Sequence, residues 1–326
     1  MALILAVLLV GTILAAVVHA ETLAHYLGEP FGTLVLAFAV TVIECSLIVS
    51  IMLSEGNSAQ ALARDTLMAA LMITINGFVG LCLLAGGHRH FEQTFTRSGT
   101  SIGLAMVSTL AVLTLVMPNF TTSAGGPFYS SAQLAFVAVI SLVLYATFVV
   151  AQTIRHRDHF ISREEEDHKH EIEPTRQQAL IAGGLMIPAL VAVVLLAKAL
   201  SGTIEQTVAA LGAPAAVVGI VIALLVLAPE GLAALRAAQL NRVQTSLNLA
   251  IGSALATIGL TIPAVAIIAL VMRLDLQLGL KTSHMVLLAL TMLVASFTLS
   301  TGRTNMVQGV LHLTIFATYL FISLVP

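Results

Sequence analysis

The sequence has no tryptophan and little charge. Of its 326 residues, 9% are charged and 58% are hydrophobic, whereas a soluble globular domain carries roughly 25% charged residues. Segments that cross a bilayer must be apolar on their lipid side, so the composition indicates an integral membrane protein whose constant partner is membrane lipid. A formal net charge of -2 gives no indication of a nucleic-acid partner.

Cysteines and enzyme motifs are also scarce. The two cysteines, Cys45 and Cys82, lie in apolar stretches, so we predict small membrane-embedded side chains and no disulfide framework. The sequence contains no His-Glu-x-x-His, P-loop or Gly-x-Ser-x-Gly motif. These absences argue against an enzyme, and no cofactor is expected.

Long uncharged runs dominate what is present. A membrane-spanning helix needs about 20 apolar residues. The first run lacks the positively charged start of a signal peptide, so we expect it to be a spanning helix. We predict an all-α integral membrane protein of about ten transmembrane helices, at 2–20, 32–54, 66–87, 101–118, 132–152, 177–197, 206–235, 243–272, 283–301 and 304–325.

The run at 206–235 is unusually long, and it contains Pro214, Pro229 and Gly231. Proline removes a backbone donor and disrupts the helix that precedes it. We therefore predict that this helix is broken or kinked.

One segment, 155–176, is strongly polar. It holds seven of the sixteen acids, five of the fourteen Lys and Arg residues, and four of the ten histidines. We predict an acidic, His-rich solvated loop between a first five-helix repeat (1–154) and a second (177–326). Its histidines lack a firm zinc spacing, so a linker is favoured over a metal or pH sensor; they are His156, His159, His168 and His170.

Five helices in each half predict that the halves enter the membrane from opposite sides. Such inverted repeats are typical of many secondary transporters. Placing the polar loop in the cytoplasm puts ten Lys and Arg residues on that side and four on the other. The positive-inside rule therefore predicts a cytoplasmic loop and external chain ends.

Two glutamates, Glu44 and Glu230, lie inside the second helix of each half. A charge at the bilayer centre costs roughly 2.5–3.5 kcal/mol even on a lenient scale. A carboxylate pair can bind a hard metal cation through oxygen, or take up protons instead. We predict a shared midplane cation and proton site; the alternative is a structural Glu that pairs with a neighbouring helix or reaches water.

The helices that follow the two glutamates can be superimposed by sequence. Thr66, Thr74 and Gly80 have the same spacing as Thr245, Ser253 and Gly259. Hydroxyl and amide groups there are candidate accessory ion-path residues, or else make interhelical hydrogen bonds; they are Thr74, Asn76, Asn248 and Ser253. Small residues on these helices are expected to allow close packing, namely Gly77, Gly80, Gly252 and Gly259.

The last helix carries Asn305, Gln308 and His312 at i, i+3 and i+7, which places them on one face. They either line a polar ion path or make interhelical contacts. The sequence does not choose between these two roles.

Several stretches carry a family resemblance: AETLAHYLGEPFG at 20–32, VIECSLIVSIM at 42–52, ARDTLMAALMI at 63–73, LAPEGLAAL at 227–235, NLAIGSALATIGLTIP at 248–263 and STGRTNMVQGVLHL at 300–313. With them the chain resembles the cation/proton exchanger (CAX) family of the calcium/cation antiporter superfamily, in particular its ChaA-type bacterial branch. The resemblance implies that Glu44 and Glu230 are the two essential glutamates, which face each other at the cation and proton site. An acidic loop between the halves is also a feature of that family.

The chain departs from the wider family pattern in two ways. Gly-Asn usually precedes each glutamate, but here Thr41-Val42-Ile43 and Leu227-Ala228-Pro229 do, as in the ChaA-type branch. The altered surroundings bear on the choice among Ca²⁺, Na⁺ and K⁺. Family members also usually have a further helix ahead of the ten, so this chain is expected to begin at their second helix.

The sequence and the resemblance together predict a secondary antiporter that exchanges Ca²⁺, Na⁺ or K⁺ for protons. It is expected to be a multi-pass protein of the bacterial inner (plasma) membrane, and a homo-oligomer is left open. The alternatives are a passive cation channel and an intramembrane enzyme that uses the carboxylate pair.

Overall fold

The computed structural model describes residues 2–28, 31–155, 159–160, 174–210, 212, 214 and 216–325. Most of the predicted polar loop, including His156, His168 and His170, lies outside these residues. The described part has eleven α-helices and two short strands: α1 Ala2–Leu27, α2 Phe31–Glu55, α3 Leu62–Leu71, α4 Val79–His90, β1 Glu92–Thr94, α5 Arg97–Ala111, α6 Ser131–Val150, α7 Arg176–Ala210, α8 Ala216–Gln239, α9 Val243–Met272, α10 Thr282–Ser300, β2 Arg303–Asn305 and α11 Met306–Leu324.

Three π-helical segments extend these helices. Met72–Phe78 joins α3 to α4, so that Leu62–His90 forms one continuous span. Val112–Val116 continues α5, and Ala151–Arg155 continues α6. Single-turn π-helical insertions are rare and are often found at functional sites, which makes the segment at Met72–Phe78 a feature of interest.

The predicted class, an all-α integral membrane protein, is confirmed. Among the described residues, eight helical segments are long and apolar enough to cross a membrane, and a bent pair in α8 raises the number to nine. The described part of α2 adds a shorter apolar helix, Phe38–Leu53. These elements correspond in order to the ten predicted runs.

One predicted boundary is wrong. The run at 206–235 is predicted to be one broken or kinked helix that contains Pro214, but its first residues, through Ala210, continue α7, and α8 begins at Ala216. Gly212 adopts a positive φ of 65° between them, a conformation that glycine reaches without steric cost. Pro214 follows and cannot donate a backbone hydrogen bond, so the two helices are separate.

The predicted break in this region is confirmed within α8. Val217–Ala228 and Glu230–Gln239 meet at an angle of 53°. The break falls at Pro229, which has no amide hydrogen to bond to the preceding turn. Glu230 is therefore the first residue beyond the bend.

Helices of the two halves pack on each other in matching pairs, as expected for two repeats related by pseudo-twofold symmetry. α1 packs on α7, and α5 packs on α10. α2 packs on α9 as α8 packs on α3, and α6 packs on α9 as α11 packs on α4. Each helix pair therefore has a counterpart in which the halves change places.

The connecting segments gather at two ends of the molecule. At one end β1 pairs antiparallel with β2, and Gln93 Nε2 donates to Ala238 O over 3.0 Å. At the other end Gln277 N donates to Gln60 O over 2.9 Å, and Leu280 N to Leu115 O over 2.9 Å. Arg89, Arg97, Arg236, Arg242 and Arg303 therefore belong to segments at the first end, as the charge bias predicts; which end faces the cytoplasm stays a prediction.

Candidate functional site

The two glutamates converge on one helix, α9. Glu44 on α2 is 0% exposed, and Glu230 on α8 is 5% exposed. Glu44 Oε2 accepts a hydrogen bond of 2.8 Å from Thr257 Oγ1, while Glu230 Oε2 accepts one from Ser253 Oγ. Ser253 and Thr257 lie one turn apart on the same face of α9, so the structure brings the two carboxylates to one centre.

A stripe of hydroxyls on α9 builds this centre. Ser253, Thr257 and Thr261 follow one another at every fourth residue and therefore lie on one helix face. Thr261 Oγ1 is 3.1 Å from Cys45 Sγ, beside Glu44. Sequence reasoning found Ser253 and missed Thr257, which its helical spacing from Ser253 could have indicated.

One carboxylate oxygen at the centre is unsatisfied. Glu44 Oε1 is buried and has no hydrogen-bond partner among the described residues. Among the described residues, neither glutamate forms an ion pair, whereas Arg64 and Asp65 pair with each other. Because a buried carboxylate without a compensating charge is costly, a cation or a proton at this position would be stabilised.

The centre is built from oxygen. Two carboxylates and two hydroxyls meet there, and the described residues hold no group of three or more His, Cys, Asp or Glu side chains that could bind a metal ion. Oxygen ligands suit hard cations such as Ca²⁺, and a small number of protein ligands leaves room for water. These ligands suit a hard cation that binds and leaves again better than they suit a permanently held metal ion.

The predicted accessory residues are not all at this centre. Ser253 contacts Glu230 as described, but Thr74 Oγ1 donates to its own backbone, at Ala70 O over 2.8 Å. Asn76 Nδ2 donates to Thr291 Oγ1 over 2.8 Å, and Asn76 Oδ1 faces His312 Nδ1 at 3.0 Å. The polar groups of the first-half helix therefore bond elsewhere.

The two remaining asparagines make local contacts. Asn248 Nδ2 donates to Phe160 O, and Asn248 Oδ1 accepts from Gln244 Nε2 over 3.0 Å. Asn305 caps α11, with its side-chain oxygen accepting from the amides of Val307 and Gln308. Neither asparagine contacts a glutamate. Of the three polar residues on the last helix, His312 makes the interhelical contacts.

Glycines set the spacing around the centre. A Cβ at Gly80 would lie 2.9 Å from Leu313 Cγ, and one at Gly259 would lie 2.6 Å from Tyr145 Cβ, which confirms close packing at both. At Gly77 the nearest atom, Phe316 Cε1, would lie at an ordinary contact distance of 3.5 Å. The prediction is wrong for Gly252, where a Cβ would meet no atom of the described residues within 4 Å, so these residues leave space beside Ser253.

The sodium/calcium exchanger protein family matches residues 1–154 and 181–325. The chain belongs to this family. This exchanger is 47% identical over 98% of its length to "Putative ionic transporter y4hA" of Sinorhizobium fredii, of which it covers 87%. It is 38% identical over 93% of its length to the sodium-potassium/proton antiporter ChaA of Escherichia coli, of which it covers 82%.

Solved structures share the fold of this exchanger. Native YfkE superimposes with a TM-score of 0.76 at 17% identity, over 100% of this chain and 92% of the other. The H⁺/Ca²⁺ exchanger CAX superimposes with a TM-score of 0.75 at 16% identity, over 98% of this chain and 82% of the other. The family and these relatives are membrane transporters, so the exchanger is a transporter and the intramembrane-enzyme alternative is set aside.

Proposed function

We propose that this exchanger is a secondary cation/proton antiporter in which Glu44 and Glu230 bind the cation and protons in turn. The observation that carries the proposal is the pair of buried carboxylates, each bonded to a hydroxyl of α9, with Glu44 Oε1 left without a partner. Loading the pair with protons removes its charge, and loading it with a cation offsets that charge. Two protons for one divalent ion leave the net charge of the site unchanged, which favours exchange in a dry environment.

The cations that we propose are Ca²⁺, Na⁺ and K⁺. Carboxylate and hydroxyl oxygens are hard ligands, which suit these ions better than soft thiophilic metals. The relative ChaA is named a sodium-potassium/proton antiporter, and CAX is named an H⁺/Ca²⁺ exchanger. The chain replaces the usual Gly-Asn before each glutamate, so the residues around the pair are where we expect ion preference to be set.

We place the protein in the bacterial inner membrane, with the polar loop 155–176 in the cytoplasm. The relative ChaA comes from Escherichia coli, and the arginines of the connecting segments gather at one end of the molecule, as the positive-inside rule requires. Alternating access would come from one group of helices moving against another across the pseudo-symmetric packing of the halves.

Proteoliposomes that hold the purified protein and a pH-sensitive dye test this function. Addition of Ca²⁺, Na⁺ or K⁺ should release protons, and an imposed pH gradient should drive the cation uphill. Glu44→Gln and Glu230→Gln should each abolish this flux while the protein still inserts, because each removes one of the two exchangeable charges.

Glu92→Gln is the matched control, since Glu92 is an exposed acid on β1, and it should exchange as the wild type does. Undiminished exchange in both Glu44→Gln and Glu230→Gln would contradict the proposed site. Cation movement that runs only downhill and ignores the pH gradient would instead identify a passive channel.

A further inference from the structure

The end of the molecule that carries β1 and β2 is rich in arginine. Its connecting segments hold five arginines, and none of them forms an ion pair with an acid in the part of the chain that the structure describes. Glu92 on β1 is an exposed acid at the same end, yet it pairs with none of them. This end therefore presents positive charge that the described acids do not offset.

Two of these arginines, Arg97 and Arg303, start from adjoining positions. β1 pairs with β2 so that Thr94 lies opposite Arg303, and Phe95 N donates to Gly302 O over 3.1 Å. The side chain of Arg97 then lies across Gly302, where a Cβ would be 3.0 Å from both Arg97 Cγ and Arg97 Nε. Gly302 directly precedes Arg303, and both arginines are exposed.

The placement of these two arginines does not favour stability by itself. Neighbouring like charges repel each other. Arg97 is also the first residue of α5, which has no acid in its first turn, and the positive end of a helix dipole disfavours a cation there. Gly302 has a φ of 72°, so a side chain at this position would be strained as well as too close to Arg97. The arrangement suits an anion that contacts both guanidinium groups.

Exposed apolar side chains lie on both sides of Arg303 along the chain. Phe297, in the last turn of α10, is 67% exposed, and Val307, in the first turn of α11, is 60% exposed. α10 and α11 pack on each other, and both are long and apolar enough to cross a membrane. Arg303 therefore lies where the apolar surface of two spanning helices gives way to a polar end.

A phospholipid has the same order of groups, with a phosphate above its acyl chains. Two other anions match the charge alone: free phosphate, and the acidic run 164–167 of the predicted polar loop. Neither of these would use the apolar surface beside Arg303. The combination of charge and apolar surface thus favours a lipid, and basic pockets at the ends of membrane helices are known to suit anionic headgroups.

We propose that Arg97 and Arg303 bind the phosphate of an anionic phospholipid, whose acyl chains lie along Phe297 and Val307. Arginine suits this role because its planar guanidinium group can donate two parallel hydrogen bonds to phosphate. The bound headgroup offsets the repulsion between the two arginines and joins the ends of α5, α10 and α11. This inference goes beyond the proposed function and does not depend on which ion is exchanged.

The test is the melting temperature of the full-length protein in detergent, titrated with phosphatidylglycerol or with phosphatidylcholine of the same acyl chains. A ligand that binds the folded protein alone raises the melting temperature. Phosphatidylglycerol at about 100 times its dissociation constant should raise it by about 5 °C, and zwitterionic phosphatidylcholine should raise it much less. Arg97→Gln and Arg303→Gln should each need at least about tenfold more phosphatidylglycerol for half of the shift, because each removes a charged hydrogen-bond donor.

Arg273→Gln is the matched control, since Arg273 is an exposed arginine just beyond the other end of α9; it should respond as the wild type does. Equal shifts with both lipids in the wild type, or an unchanged response in both Gln variants, would overturn the proposal, and the wild-type comparison decides even if a variant does not fold.

The other two anions give different results. An equal shift with inorganic phosphate would identify a free-anion site instead of a lipid site. A wild type that responds to phosphatidylglycerol only after Glu164, Glu165, Glu166 and Asp167 are neutralised would identify the acidic run as the partner of the arginines. Either result would overturn the lipid site without touching the proposed function, because no transport is measured.

Discussion

The helix α9 and its first-half counterpart, the span Leu62–His90, are equivalent by position but treat their polar side chains in opposite ways. α9 is continuous, and its Ser253 and Thr257 bond the two carboxylates. The counterpart is interrupted by the π-helical segment, and Asn76 faces α10 and α11. Repeat-related helices have thus divided their roles, since the hydroxyls of one bond the carboxylates and Asn76 of the other joins helices.

Residue pairs at the same repeat position show how this division arises. Where α9 has Leu255, the first half has Asn76, and where α9 has Thr257, the first half has Phe78. Thr74 and Ser253 correspond directly, but the former bonds its own backbone and the latter a carboxylate. The asymmetry is therefore partly in residue type and partly in the face that each helix presents.

The largest effect, on stability, should come from Asn76→Leu, which gives the first half the leucine that α9 has at the equivalent position, Leu255. The substitution leaves His312 Nδ1 and the Thr291 oxygen without their partner, and a buried polar group left unpaired costs about 1–3 kcal/mol. We expect the free energy of unfolding to fall by about 3 kcal/mol, seen as a lower melting temperature in detergent. Asn76→Gln, which keeps the amide, should lose less; equal losses would show that the hydrogen bonds of Asn76 to Thr291 and His312 do not stabilise the protein.

A smaller effect, on the apparent affinity for the cation, should distinguish the hydroxyl of Thr257 on α9 from that of Thr74 on the span Leu62–His90. Thr257→Val removes the hydrogen bond to Glu44, and bonds to charged groups contribute about 1.5–3 kcal/mol. We expect the apparent affinity for the cation to weaken at least about tenfold, measured as the cation concentration at half-maximal proton flux. Thr74→Val removes a bond to the helix backbone and should leave this concentration nearly unchanged; similar changes in both variants would remove the distinction between the two helices.

The smallest effect is expected at Gly252, which differs from the tightly packed Gly259 on the same helix. A Cβ at Gly252 meets no atom of the described residues within 4 Å, so Gly252→Ala should change stability by no more than about 0.5 kcal/mol. Gly259→Ala, where the added carbon meets Tyr145 Cβ, is the comparison that should be clearly destabilised. Thermal melting of the two variants side by side measures this, and a loss at Gly252→Ala as large as that at Gly259→Ala would contradict the difference in packing between the two glycines.

Much of the fold could be predicted because it depends on local composition. The apolar runs predicted the helices in order, Pro229 predicted the break in α8, and burial in those runs made Glu44 and Glu230 stand out. Pro214 predicted a break in the run 206–235, but the sequence did not indicate that the residues before this break continue α7. Thr257 was missed for a different reason: a threonine in a membrane helix most often bonds its own backbone, as Thr74 does.

The sequence by itself determined that this is a helical membrane protein with two costly acids at equivalent positions, because apolar length and a buried charge are properties of single segments. Only the tertiary structure decided which hydroxyls meet those acids and that Asn76 belongs with His312. In a bilayer, lipid-facing and helix-facing surfaces are both apolar, so hydropathy does not mark the face that a helix turns inward. The π-helical segment also changes the helical register at Asn76, and a rule based on regular helical spacing does not anticipate that change.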